Sequence, residues 1–155
     1  HLAGMRVGEV AALTWGDVVN AEGHVKDEIR LNADQTKGGH PRIVFLSPKL
    51  LKELECFVST AKRREAHWAF FATQKEPQRG FTANTLAQYF LQLYKGAGID
   101  GASSHSGRRS FATSLSSKGV GVRVLMRAMG HRNISTTIGY IDASDDMLRR
   151  AVALV

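Results

Sequence analysis

The apolar period changes midway through residues 25–64. In "VKDEIRLNADQTKGGHPRIVFLSP", Ile29 and Leu31 alternate with polar residues and Ile43 to Leu46 are rich in β-formers. Between them "TKGGHP" is a turn. In "SPKLLKELECFVSTAKRR", Leu50, Leu51, Leu54, Phe57 and Val58 fall on one helical stripe. The switch is marked by Ser47, a good N-cap, and Pro48, which suits the first helical position. The segment therefore requires a mixed architecture: a β-hairpin with Lys37 near its tip, a third short strand before it, then an amphipathic helix. Cys56 reads as a core residue of that helix.

The flanking segments read as helices. "MRVGEVAALTW" has Val7, Val10, Ala11 and Leu13 at helical spacing, with Arg6 at the start and Glu9 one turn on. After the connector "EAHWAFFATQKEPQRG", which carries Trp68, Phe70 and Phe71, "FTANTLAQYFLQLYKGAG" is capped by Thr82. It turns Leu86, Phe90, Leu93 and Tyr94 inward and ends at Gly96 or Gly98. "SHSGRRSFATSLSSKG" turns Phe111, Ala112 and Leu115 inward and stops at Gly119. "VRVLMRAMG" closes at Gly130, "NISTTIGY" is a short helix, and "SDDMLRRAVALV" begins on Ser144 with two acids in its first turn. The expected fold is α+β, predominantly helical, with a small three-stranded antiparallel sheet.

Composition narrows the partner. With 43% hydrophobic residues over 155 positions, the chain can bury the core of one domain. Its 21 Lys and Arg against 14 Asp and Glu give +7, and a pI of about 9.9 favours a polyanion, nucleic acid first. The single cysteine excludes an internal disulfide and a cysteine-based metal cluster. No apolar run approaches the roughly 18 residues that span a bilayer, and no signal peptide is visible. The expectation is no membrane association and a cytoplasmic setting. The chain opens "HLAGMRVGE", already inside a patterned segment, as a piece of a longer protein would.

Arg6, Lys37, His105 with Arg108, His131 and Tyr140 each sit at the edge of an element and call for a common explanation; phosphoryl transfer at a DNA diester is one chemistry that needs groups of these kinds. Charge builds on the non-bridging oxygens, and arginine is always charged, planar and able to bond two oxygens at once. A nucleophile is needed; serine would serve, but a tyrosine hydroxyl, with a free pKa of about 10, is more acidic. The leaving 5′-oxygen needs a proton from a lysine or a histidine. No clustered carboxylates suggest a two-metal site.

These segments resemble the catalytic domain of the tyrosine recombinase (phage integrase) family, in order and over nearly the whole chain. "GMRVGEVAALTWGDV" resembles the family's first-arginine segment, with Arg6 and the acidic Glu9. "QTKGGHPRIVFLS" resembles the hairpin carrying the family's lysine, here Lys37, with Lys26 as the alternative. "HSGRRSFATSL" resembles the His-x-x-Arg segment, giving His105 and Arg108, and "LMRAMGHRNISTTIGYI" resembles the stretch from Gly-His to the nucleophile, giving His131 and Tyr140. Arg109 departs from the pattern, because the family often has histidine there; it reads as a support behind the pocket or a contact to the DNA backbone.

The resemblance implies a site-specific recombinase or integrase that needs neither metal nor ATP. Tyr140 would form a 3′-phosphotyrosyl bond and release a 5′-hydroxyl. Arg6 and Arg108 would hold the non-bridging oxygens, and Lys37 would protonate the leaving oxygen. His105 and His131 would support the phosphate and the nucleophile's proton, while Glu9 would orient the arginines. It also implies double-stranded DNA as partner and a homotetramer at synapsis. Residues 1–155 would be the catalytic domain, without its first part and without the core-binding domain that precedes it. Two alternatives share the fold or the chemistry: a catalytically silent DNA-binding module, and a type IB topoisomerase-like enzyme. His24, His40 and His67 read as surface residues. The runs "TAKRREAH" and "LRRAV" read as solvated faces or as phosphate contacts. The apolar Met147, Leu148, Val152 and Leu154 of the last helix pack either on the chain itself or on a neighbour.

Overall fold

The computed structural model describes residues 2–153 apart from 63, 75, 77 and 142–144. Strand β1 (Glu28–Leu31) pairs antiparallel with β2 (Arg42–Phe45), placing Ile29 opposite Val44 and Leu31 opposite Arg42. Ile29, Leu31 and Val44 are buried, so this is the core face of the sheet. Phe45, of the opposite parity, is exposed.

The sheet has two strands, not the expected three. The segment before β1 makes only an isolated antiparallel bridge between Val19 and Val25. The tight turn between them is the physical reason. His24 carbonyl accepts from Asn20 N–H at 2.9 Å, and Gly23 takes φ +90°, which leaves no length for a ladder.

Around the hairpin the chain is helical. Helix α1 (Val7–Ala11) starts at Arg6, whose N–H donates to the Glu9 carboxylate at 2.8 Å. Helix α2 (Trp15–Val18) is closed by a reciprocal box, with Thr14 N–H donating to Asp17 at 2.8 Å and Asp17 N–H to the Thr14 hydroxyl at 3.3 Å. Helix α3 (Pro48–Thr60) begins as expected, with the Ser47 hydroxyl accepting from Leu50 N–H. It lays Leu50, Leu51, Leu54 and Val58 against a core of Leu13, Trp15, Val18, Ile29, Leu31, Val44, Leu46 and Phe70. Phe70 is the hub, 5.0 Å from Trp15 and 5.4 Å from Phe57 between ring centroids. Cys56 is exposed rather than buried, because it lies about 200° round the helix from Leu54 and off the apolar stripe.

Helix α4 (Ala83–Gly96) is capped by Thr82, and Leu86 is its buried residue. Leu93, expected inward, is 51% exposed and lines an open groove with Phe57, Phe71 and Tyr89. Helix α5 (Ser106–Ser117) buries Gly107, Arg108, Ala112 and Ser116, and Gly119 (φ +82°) ends it. Helices α6 (Val122–Met129) and α7 (Ile134–Ile138) follow, α7 capped by Asn133. Helix α8 (Asp145–Val152) exposes Leu148 and Val152. Its expected cap Ser144, and Leu154 beyond it, lie outside the described residues. Among the described residues no helix is long and apolar enough to cross a membrane.

Candidate active site

Helix α6 ends at Gly130, which adopts the left-handed conformation (φ 61°, ψ 40°). The last carbonyls of a helix have no partner within it and carry its negative dipole end. Here three successive ones each receive an arginine from a different part of the chain. Arg42 Nη1 donates to Ala128 O at 2.9 Å, Arg108 Nη2 donates to Met129 O, and Arg6 Nη2 donates to Gly130 O at 3.2 Å. Arg108 Nη1 also donates to Gly4 O, which ties α5 to the segment before α1.

One carboxylate faces these three cations. Glu9, 1% exposed, takes Arg6 Nη1 on Oε1 at 3.0 Å and Arg42 Nη2 on Oε2 at 2.7 Å. Burial alone would raise its pKa, but the hydrogen bonds and charge of Arg42, with the hydrogen bonds from Arg6, outweigh burial and lower it. Three guanidinium groups against one carboxylate leave two positive charges in excess. Arg108, itself 3% exposed, has its pKa lowered to about 10 by desolvation and by repulsion from Arg6 and Arg42. Buried charge demands a counter-charge, so the pocket is built to take an anion.

The nucleophile candidate lies beside it. His131, the residue after Gly130, is buried, and its Nδ1 lies 2.9 Å from the hydroxyl of the fully buried Thr137. Its ring sits 5.5 Å from the Tyr140 ring. Desolvation, then the positive charge of Arg108, Arg6 and Arg42, lowers the His131 pKa to about 4, so the imidazole is neutral at neutral pH. Tyr140 is half-buried at the end of α7, and the Arg109 guanidinium lies 6.0 Å from its ring centroid.

Arg6, Glu9, Arg108, His131, Tyr140 and Arg109 are thus brought together. Lys37 and His105 are not. Lys37 is exposed in the hairpin loop and His105 is exposed at the start of α5. Neither side chain hydrogen-bonds to the cluster among the described residues. The alternative lysine, Lys26, is engaged elsewhere, donating to Gly16 O. His24, His40 and His67 are exposed, as expected.

Arg42 escaped the sequence reading, although the signal was present. In "RIVFL" it shares its parity with the buried Val44 and Leu46, so a charged residue stands at an inward position of a strand. A charge at such a position needs a buried partner, and here the partner is Glu9.

The model for the phage integrase family matches residues 2–147, and the chain belongs to that family. It is 30% identical over 150 residues to the tyrosine recombinase XerA of Pyrococcus horikoshii, covering 97% of this chain and 50% of that protein. A crystal structure of XerA recombinase superposes with a TM-score of 0.76 at 25% identity, covering 99% of this chain and 54% of that one. The XerH site-specific recombinase, bound to a palindromic difH substrate in a post-cleavage complex, superposes with a TM-score of 0.68 at 25% identity, covering 98% of this chain and 42% of that one. The chain spans about half the length of these relatives.

Proposed function

We propose that this chain is the catalytic domain of a site-specific DNA recombinase that cuts and rejoins strands through a covalent 3′-phosphotyrosyl bond at Tyr140. The observation that carries the reading is the excess of two positive charges in the buried and half-buried arginine cluster beside the His131–Tyr140 pair. A phosphodiester in the transition state of transfer matches that excess, because negative charge grows on its two non-bridging oxygens. In this reading Arg6 and Arg108 would supply the guanidinium groups that meet those oxygens. Membership of the phage integrase family and the XerH site-specific recombinase bound to its difH substrate, together with the net charge of +7, support DNA as the substrate.

In this reading the Tyr140 oxygen bonds to phosphorus while the bond from phosphorus to the 5′-oxygen breaks. The neutral imidazole of His131, with Nδ1 held by Thr137, offers Nε2 to the phenol proton. Lys37, on its exposed loop, would come to the leaving 5′-oxygen and give it a proton, and His105 would support the phosphate from the start of α5. Arg109 would hold the Tyr140 ring. Attack by a second strand's 5′-hydroxyl reverses the step, so the diester bond energy is kept and neither ATP nor metal enters. Assembly as a homotetramer on two duplexes belongs to the same reading. The apolar Leu148 and Val152 that α8 turns to solvent support it.

The test uses the intact protein and a pool of nicked suicide duplexes with randomised cores. The wild type should trap a denaturation-resistant protein–DNA adduct. Tyr140→Phe should bind DNA and trap none, and an adduct with Tyr140→Phe would overturn the assignment. DNA binding without any wild-type adduct would favour the catalytically silent module instead.

A further inference from the structure

Arg42 spends its guanidinium inside the protein. Nη2 and Nε donate to the two oxygens of Glu9 at 2.7 and 3.3 Å, and Nη1 donates to Ala128 O at 2.9 Å. Its side chain is 10% exposed. All three guanidinium nitrogens of Arg42 are thus engaged within the protein, whereas Arg6 and Arg108 engage only Nη1 and Nη2 among the described residues, and Arg42 contacts both things that position those two arginines. One is Glu9, which it shares with Arg6. The other is the end of α6, where Met129 O takes Arg108 and Gly130 O takes Arg6.

The sharing matters because guanidinium and carboxylate pair best two-toothed. Glu9 could take Arg6 in that way, and Arg6 would then face the carboxylate and not a phosphate. With Arg42 on Oε2 at 2.7 Å and spanning to Oε1, Arg6 keeps a single side-chain bond to Glu9 at 3.0 Å. Its Nη2 is left at Gly130 O. Gly130 also shows how tightly Arg42 is seated, since a Cβ there would lie 2.6 Å from Arg42 Cδ.

We propose that Arg42 is a positioning residue for the phosphate pocket: by occupying Glu9 and fastening the end of α6, it keeps Arg6 from collapsing onto Glu9 and holds Arg6 and Arg108 ready for the diester. This rests on the recombinase reading above. Misplacing a group by about 1 Å can cost about 100-fold in rate, so the effect belongs in cleavage rather than in DNA affinity.

The test measures DNA affinity and single-turnover adduct formation separately, on the duplex that the intact wild-type protein traps most readily. Arg42→Met, which keeps the apolar stem, should bind DNA nearly as the wild type does and form adduct about 100-fold more slowly. Arg42→Lys should fall between the two, because an ammonium can hold Glu9 but lacks the fork that also reaches Ala128 O. The double variant Arg42→Met/Glu9→Gln should be no slower than Arg42→Met alone, since both act through one link. If Arg42→Met does not fold, judged by circular dichroism, Arg42→Lys with and without Glu9→Gln carries the same comparison. A folded Arg42→Met or Arg42→Lys that cleaves at the wild-type rate overturns the proposal, as does a double variant whose loss is the product of the two single losses. The wild-type adduct in the same experiment reports on the recombinase reading by itself.

Discussion

Replacing Gly130 by alanine should destabilise the protein by about 2–4 kcal/mol, for two separable reasons. The first is local. Gly130 has φ +61°, and an L-residue in the left-handed region costs about 1 kcal/mol more than glycine. The second is the neighbour. The new Cβ would lie 2.6 Å from Arg42 Cδ and 2.9 Å from Nε, so the Arg42 side chain must shift. Its guanidinium is tied to Glu9 and Ala128 O, so shifting it loosens a buried ion pair. Removing a buried partner outright costs about 3–5 kcal/mol. Arg6 still holds Glu9, so a share of that, about 1–3 kcal/mol, is expected. Urea unfolding of the single variants and of Arg42→Ala/Gly130→Ala separates the parts. With Arg42 cut back to Cβ the collision disappears, and Gly130→Ala should then cost only about 1 kcal/mol. An equal cost in both backgrounds would refute the close-approach argument and leave backbone strain as the whole effect.

Arg108→Ala should lower adduct formation by at least ~100-fold. It should also lower stability, because it strips the buried Gly4 and Met129 carbonyls of a charged donor; unfolding midpoint and cleavage are measured on the same preparation, and wild-type cleavage would remove Arg108 from the site. Stability should fall with pH between about 6.5 and 4, because the unfolded chain binds a proton at His131 near its ordinary value while the native site resists it to about 4. His131→Asn should flatten that part of the profile, and an unchanged slope would show that His131 is not held neutral. Treatment with EDTA should leave adduct yield unchanged, and strong inhibition would contradict the metal-free route.

The elements were legible where one residue type had one physical job. Ser47 before Pro48, Thr82 before α4, and Gly130 after α6 terminate helices in the structure as the sequence indicates. The site was legible where spacing carried it: Arg6 and Glu9 share one turn, and His131 and Tyr140 bracket a single short helix. What failed depended on neighbours that no local pattern names. Leu93 continues an apolar stripe but faces an open groove with Phe57 and Phe71. The third strand needed chain length that the turn at 20–24 consumes. Arg42 is marked in the sequence only by its inward parity, and its partner Glu9 lies thirty-three positions away. Lys37 and His105 carry roles from the resemblance, yet both stand exposed and apart from the arginine cluster.

The most direct measurement is the identity of the residue joined to DNA. The trapped adduct of the intact protein is digested with protease and nuclease, and the modified peptide is read by mass spectrometry. The account predicts a nucleotide phosphate on Tyr140, within the peptide that follows Arg132. A nucleotide on any other residue, or an adduct that survives Tyr140→Phe, would contradict it.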